Sequence, residues 1–113
     1  MPYIYKREFR HKNGMLSFVG LGYDRDGEFI AQGQGTQYSE SGKVEYEGYW
    51  VNNHRNGEGK WYNENGRLRY EGFFLDDAPN GWGRYFSDNG TLRYEGDMSD
   101  GNFDGEGTLY YPS

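Results

Sequence analysis

The chain has 113 residues, a formal net charge of −6, no cysteine and an apolar fraction of 34%. The acidic balance argues against a protein that binds a nucleic-acid backbone, which needs a basic face, and the lack of cysteine excludes disulfides and thiolate zinc sites. Twelve tyrosines, seven phenylalanines and three tryptophans predict one folded domain with a thin aromatic core.

The first segment, residues 1–17, predicts an N-terminal cap strand followed by a turn. Tyr3 and Tyr5 alternate with Ile4 and Lys6, which is the period of a strand. The pair Asn13 and Gly14 predicts a two-residue hairpin turn, because both residue types tolerate positive φ.

Residues 18–45 are predicted to form a first, divergent repeat. Phe18 precedes Gly33 by 15 residues, whereas the equivalent interval in the later repeats is 11. The four extra residues, shared between two strands, predict a hairpin that protrudes past its neighbours. Asp24 and Asp26 in its turn are therefore candidates for partner contact, whereas the spacing of the acidic residues does not fit an EF-hand calcium loop.

Three regular repeats follow, at residues 46–69, 70–93 and 94–113, and each begins with a Tyr-Glu-Gly triplet. A fixed period of this size is typical of a repeat architecture. Alternation of apolar and polar residues is typical of an antiparallel sheet with one buried face. We therefore predict an all-β fold, an elongated, single-layer, twisted antiparallel meander of consecutive β-hairpins. Its turns within the repeats are predicted at residues 52–55, 76–79 and 99–102.

Glycines inside the predicted strands need a reason, because glycine weakens a strand. In each repeat a Tyr-Glu-Gly triplet faces a Gly-x-Gly triplet, and the absent Cβ atoms leave a trough for a neighbouring aromatic ring. The repeated tyrosines are expected to form a ladder along the sheet. The residues predicted to hold the sheet are Tyr46, Gly48, Trp50, Gly57, Gly59, Tyr70, Gly72, Gly81, Gly83, Tyr94, Gly96, Gly105 and Gly107.

Other aromatic residues have the opposite parity and predict either a second apolar surface or an interface. These candidate partner-binding residues are Tyr49, Tyr62, Phe73, Trp82, Phe86 and Tyr110. Strict alternation places several charged residues on the same face, namely Glu45, Glu47, Arg69, Glu71, Arg93, Glu95 and Asp97. The main stripe of aromatic residues, which contains the repeated tyrosines, has two interpretations. It packs as the core of the sheet, or it stays accessible and binds a peptide or a sugar ring.

No catalytic residue, cofactor or metal site is predicted. His11 and His54 are the only histidines, both are predicted to lie in turns, and neither belongs to a nucleophile–base pattern. The Gly-x-Gly triplets are followed by neither a helix nor a Lys-Ser/Thr pair, so they do not predict phosphate cradles. We expect a non-enzymatic protein.

With these motifs in view, the sequence resembles the MORN repeat proteins over residues 13–113. The family pattern, roughly Tyr-x-Gly-x-Trp followed by Gly-x-Gly, occurs at residues 46–50 with 57–59, 70–74 with 81–83, and 94–98 with 105–107. The Asn-Gly-x-Leu-x-Tyr-Glu-Gly linkage resembles the bacterial, antitoxin-type branch. The sequence departs from the pattern where Phe74 and Met98 replace the tryptophan.

The resemblance implies a scaffold that mediates protein–protein interaction. Two alternatives stay open: an antitoxin or immunity-type inhibitor that uses the acidic excess on a basic partner, and a module that binds phospholipid headgroups. No nucleic-acid partner is expected. Exposed edges near residues 1–9 and 105–111 predict a homodimer as one assembly. The N-terminus has no apolar run, so a cytoplasmic location is expected.

Overall fold

The computed structural model describes residues 2–111 and shows nine strands in a single antiparallel sheet. Each strand pairs with its neighbours in sequence, so the order across the sheet is the order along the chain. The sheet measures 51 × 33 × 15 Å. These features confirm the predicted all-β meander of hairpins in one layer. The strands are β1 (Tyr5–Arg10), β2 (Leu16–Arg25), β3 (Glu28–Tyr38), β4 (Val44–Val51), β5 (His54–Tyr62), β6 (Leu68–Leu75), β7 (Ala78–Phe86), β8 (Leu92–Ser99) and β9 (Asn102–Leu109).

The turns within the repeats contain two residues, not the four that the sequence predicted. Asn52 and Asn53 both have positive φ, 52° and 70°, as a type I′ turn requires, and Asp76 and Asp77 behave alike. Because Asn and Asp tolerate this conformation, the return strand starts at once, so the prediction that His54 lies in a turn is wrong. The described residues contain no helix long and apolar enough to cross a membrane.

The turns between the repeats are three-residue loops that end in a glycine. In the first one, the backbone N–H of His11 donates to Met15 O at 2.8 Å, and that of Gly14 donates to His11 O at 3.0 Å. Only Gly14 has positive φ, 87°, so the predicted two-residue turn at Asn13 and Gly14 is a longer loop with a glycine bulge.

The core face of the sheet is a column of aromatic rings packed edge to face. Tyr46 and Tyr70 are fully buried. The Trp50 ring lies 5.3 Å from Tyr46, and the Phe74 ring lies 5.1 Å from Tyr46 and 5.2 Å from Tyr70, all three near right angles. The predicted tyrosine ladder is therefore interleaved at this point, because the Phe74 ring lies between the Tyr46 and Tyr70 rings. Phe18 extends the column at 5.4 Å from Trp50.

Glycines make room for each tyrosine ring. A Cβ atom on Gly59 would lie 2.6 Å from Tyr46 Cζ, and one on Gly83 would lie 2.5 Å from Tyr70 Cε1. The Tyr70 hydroxyl donates to Phe73 O at 2.9 Å. Burial raises the pKa of Tyr70 to about 12, so the phenol stays a neutral donor at physiological pH.

One glycine from each of eight strands joins a row that crosses the sheet. Neighbours in this row lie directly opposite each other, so their backbones approach closely along its whole length. We call it the glycine row. Its members are Gly20, Gly35, Gly48, Gly59, Gly72, Gly83, Gly96 and Gly107.

The first hairpin is longer than the others. Beyond its bulge, β2 and β3 continue for four residue pairs, as far as Arg25 opposite Glu28, whereas β4 and β5 continue for two. The next turn docks on this extension, because Asn53 Oδ1 accepts the backbone N–H of Ala31 at 2.7 Å. The hairpin thus extends two residues per strand past its neighbour.

We predict that Gly83→Ala destabilises the protein by about 1–3 kcal/mol, the usual cost of overpacking. Gly83 does not have positive φ, so the loss of stability is steric and arises from the clash of the new Cβ with the Tyr70 ring. Adding Tyr70→Leu should make the combined loss smaller than the sum of the two single losses. Urea unfolding of the three variants measures this coupling.

Gly90→Ala is the matched control. Its Cβ would approach no atom closer than 3.8 Å, and its φ is +88°, so its cost of about 1–2 kcal/mol is a backbone cost. Tyr70→Leu should add to that cost without coupling. Additive behaviour at Gly83 would contradict the role assigned to the ring.

Candidate functional site

The face opposite the aromatic core carries a row of alternating charges beside the glycine row. We call this side of the sheet the groove face. Each member lies opposite the next across the strands, so opposite charges are neighbours. The members of this charge row are Glu47, Lys60, Glu71, Arg84 and Glu95.

Hydrogen bonds tie most of the charge row together. Arg84 donates to Glu95 at 3.0 Å and to Glu71 at 3.4 Å. The Tyr110 hydroxyl also donates to Glu95, at 2.6 Å. The bonds from Tyr110 and Arg84 lower the pKa of Glu95. Lys60 has no carboxylate within 4.0 Å among residues 2–111, so its ammonium group is available to a ligand.

A second row on the groove face holds exposed aromatic side chains. Phe73 and Trp82 are 42% and 46% exposed. The first glycine of the Gly-x-Gly triplet packs against this row. A Cβ on Gly81 would lie 3.2 Å from Phe73 Cβ, and Gly81 has a φ of 95°. The two glycines of one triplet therefore serve opposite faces, since Gly83 lies under the Tyr70 ring.

A groove of about 850 Å³ runs over the glycine row from β1 to β7. Aromatic rings, aliphatic groups and charges all line it. The charged side chains number three cations and three anions, so the groove is neutral although the chain carries −6. Its lining side chains are Lys6, Val19, Leu21, Gln34, Thr36, Glu47, Glu58, Lys60, Glu71, Phe73, Trp82 and Arg84.

A second cavity of about 540 Å³ adjoins the groove at its N-terminal end. The two share Leu21 and Gln34. Ile4, Tyr23 and Tyr49 give this end an apolar lining without a charged side chain. The combined surface is therefore without charged side chains in the adjoining cavity and mixed aromatic and charged in the groove.

The structure divides the predicted partner-binding residues into two groups. Phe73 and Trp82 line the groove, and Tyr49 lines the adjoining cavity. Tyr62, Phe86 and Tyr110 lie outside both. The Tyr62 hydroxyl donates to Glu47 at 2.6 Å, and burial, followed by this bond, raises the pKa of Tyr62 to about 12. Phe86 is half-buried.

The two predicted residues of the first hairpin lie away from the groove. Asp24 accepts a hydrogen bond from the Tyr5 hydroxyl at 2.8 Å. Asp26 is the first residue of the hairpin turn, with a φ of 53°. The structure gives both residues a local role, and their contact with a partner stays a prediction.

Sequence reasoning did not single out Leu21, Gln34, Glu58 and Lys60 as site residues, although the groove has them in its lining. A signal was present, because each flanks a glycine of the row at the parity of the groove face. Strict alternation was wrong for Arg69, whose guanidinium lies 4.7 Å from the Trp61 ring of the core side. The register shift between β5 and β6 reverses its direction.

Both histidines join neighbouring parts of the sheet. His11 Nε2 lies 2.9 Å from Tyr38 O, and His54 Nδ1 lies 2.6 Å from Asp77 Oδ2. Asp77 Oδ1 also accepts the backbone N–H of Arg55 at 2.8 Å. Neither histidine lines the groove. Within residues 2–111, no three His, Cys, Asp or Glu side chains are grouped to hold a metal ion.

Two family models match the chain. The MORN repeat variant model matches residues 31–52 and 55–76, and the MORN repeat model matches residues 70–92 and 94–113. Together they cover more than half of the chain. No curated protein matches it.

We predict that His54→Asn destabilises the protein more at mildly acidic than at alkaline pH. The bond to Asp77 raises the pKa of His54 above 6.5, so this stabilisation is present below that pH and is lost as the pH rises through the folded-state pKa. Thermal unfolding at about pH 5.5 and pH 8.5 measures the difference. Asn is the matched substitution, because Asn102 occupies the equivalent position.

Asp77 limits the effect at low pH. Burial acts to raise its pKa, but the bonds from His54 and from the Arg55 backbone outweigh burial and lower it below 3.8. Its stabilisation is therefore present above that pH and is lost as the pH falls further. An unfolding difference that grows towards pH 8.5 would contradict the pairing.

Proposed function

The chain belongs to the MORN repeat family. We propose that it binds a polypeptide partner in the groove described above. MORN repeats are generally binding or scaffold modules and are a non-enzymatic repeat type. The observation that carries the proposal is the neutral groove with exposed Phe73 and Trp82.

The side chains of the groove suit a protein interface. Trp, Tyr and Arg are the residue types most often found at the energetic centres of such interfaces, and here Trp82, Tyr49 and Arg84 line one continuous surface. The Arg84 guanidinium lies 5.3 Å from the Trp82 ring centroid. Arg84 is also bonded to two glutamates, so both side chains are already ordered and binding loses little rotamer entropy.

The charge balance of the groove indicates how a partner is held. Three cations face three anions, so neither a strongly basic nor a strongly acidic partner is favoured there. Apolar contacts with the aromatic rings therefore dominate the expected affinity. The same balance offers no basic patch for anionic lipid headgroups, which are attracted by clustered Lys and Arg.

A second candidate function uses the acidic edge formed by the hairpin turns. Because the groove is neutral, the net charge of −6 lies outside it. Asp26, Asp76, Asp77 and Asp100 all occupy turn positions with positive φ. An antitoxin-type inhibitor of a basic protein would use this edge, and its binding would weaken steeply with salt.

We predict that Trp82→Ala and Phe73→Ala each weaken capture of the native partner by about 30-fold, the cost of losing a central aromatic contact. Both side chains are about half exposed, so the free energy of unfolding should change by no more than about 0.5 kcal/mol. Pull-down from the cells that express the chain, followed by titration of the captured protein, measures both quantities.

Leu75→Ala is the matched control, because Leu75 is 54% exposed, ends β6 and does not line the groove. It should leave capture unchanged. Titration at low and high salt separates the two candidate functions, since groove binding should respond weakly to salt and edge binding steeply. Unchanged affinity in both aromatic variants would exclude the groove as the binding surface.

A further inference from the structure

The last strand of the sheet has a free edge. All eight residues of β9 are exposed, and its only strand partner among residues 2–111 is β8. Phe103 and Leu109 are 46% and 50% exposed. β9 contains neither Lys nor Pro, two residue types that commonly protect an edge strand. The edge thus presents unpaired backbone groups together with apolar side chains.

The second strand of each inner hairpin (β3, β5 and β7) pairs with the strand that follows it in the same register. In β5, Gly59 lies opposite Gly72 of the next strand, and Gly57 lies opposite Phe74. The other return strands place Gly33 opposite Trp50 and Gly81 opposite Met98. The next strand therefore supplies a glycine opposite the second glycine of the triplet and a large apolar residue opposite the first.

β9 contains both the two triplet glycines and the large apolar residue that this pairing requires. It has the triplet glycines Gly105 and Gly107, and the apolar Leu109 follows two residues later. In an antiparallel pair of two β9 strands centred on Gly107, that glycine faces its own copy and Leu109 faces Gly105 of the second chain. We propose that the chain forms a two-fold symmetric homodimer through β9, which joins two sheets into one.

The side chains of this pairing are compatible. Residues 105–109 form five consecutive pairs with the second chain. The equivalent residues 57–61 form five consecutive pairs with β6. Glu106 lies opposite Thr108 of the second chain, whose hydroxyl can donate to the carboxylate. Leu109 of the second chain takes the place that Trp50, Phe74 and Met98 take in the inner repeats, so the apolar face continues across the dimer axis. A two-fold interface of this kind is the commonest form of homo-oligomer.

A second copy docking through β1 is the alternative. Three basic residues of β1 (Lys6, Arg7 and Arg10) complement the acidic residues of β9. However, β1 and β9 run in the same direction in this meander, so a copy that continues the sheet with both faces aligned pairs them in parallel. β1 also places Arg7, not a glycine, opposite Gly20 of the glycine row. The pairing rule is therefore not met, and such contacts would grow beyond a dimer.

Sedimentation equilibrium of the full chain tests the dimer. Leu109→Asp removes the apolar contact with Gly105 and places a carboxylate on the apolar face at the dimer axis, so the dissociation constant should rise by about tenfold or more. Leu75→Asp is the matched control. Leu75 has a similar exposure, 54%, but lies on an interior strand, so the dimer should be unchanged.

Disulfide trapping tests the register, because the natural chain has no cysteine. Glu106→Cys and Thr108→Cys are prepared separately, mixed and exposed to a mild oxidant. The mixture should yield a covalent dimer with one copy of each variant, because positions 106 and 108 face each other directly. Either variant alone should link poorly, since its two cysteines are only diagonal neighbours.

Three results would overturn the proposal. The first is a wild-type chain that stays monomeric at the highest soluble concentration. The second is assembly beyond the dimer that is lost on Lys6→Glu, which points to docking through β1. The third is an equal loss of dimer in Leu109→Asp and Leu75→Asp, which removes the role of the β9 edge.

Discussion

The fold depends on one steric contact, in which a tyrosine ring lies directly on a glycine of the facing strand. The ring occupies the space that a Cβ atom at that glycine would fill. The Tyr46 ring lies on Gly59 and the Tyr70 ring on Gly83, and each hydroxyl reaches a carbonyl three residues on. This position orients the Tyr46 ring so that Phe74 of the next repeat can pack against it at right angles. Residues 2–111 form a single layer without a second sheet or a helix, and this contact gives that layer a buried column of rings.

The same contact accounts for the groove on the other face. The tyrosine needs the second glycine of each Gly-x-Gly triplet, while the first glycine has positive φ and forms the bulge in the return strand. Bulges bend strands and increase their twist. Because they recur at the same level in every repeat, the strands deform together. The groove is therefore a consequence of how the core is packed, and its lining residues need not contribute to folding.

Much of the fold could be predicted from period and parity, because both depend on local geometry. The burial of Tyr46, Trp50 and Phe74 follows from alternation alone. The errors arose where a bulge interrupts alternation, as at Arg69, or where two turn types share residue preferences, as at Asn13 and Gly14. The neutrality of the groove could not be predicted, since it depends on which charges of several strands become neighbours.

Where the repeats differ, the changes often come in matched pairs. Asp77 Oδ1 accepts the N–H of Arg55, but one repeat later Pro79 has no N–H and Gly101 has no side chain, so donor and acceptor are lost together. Phe86 likewise lacks the hydroxyl that Tyr110 gives to Glu95, and Arg84 donates to Glu71 instead.

The middle residue of the Gly-x-Gly triplet is exposed in every repeat. It is Gln34, Glu58, Trp82 and Glu106 in turn. The residue opposite this position also changes, from Tyr49 to Phe73 to Asp97, so the repeat does not fix the identity of either side chain. In the proposed binding of a polypeptide, we expect the selectivity of the groove to depend on Gln34, Glu58 and Trp82, which line it, more than on the glycines and tyrosines that build it.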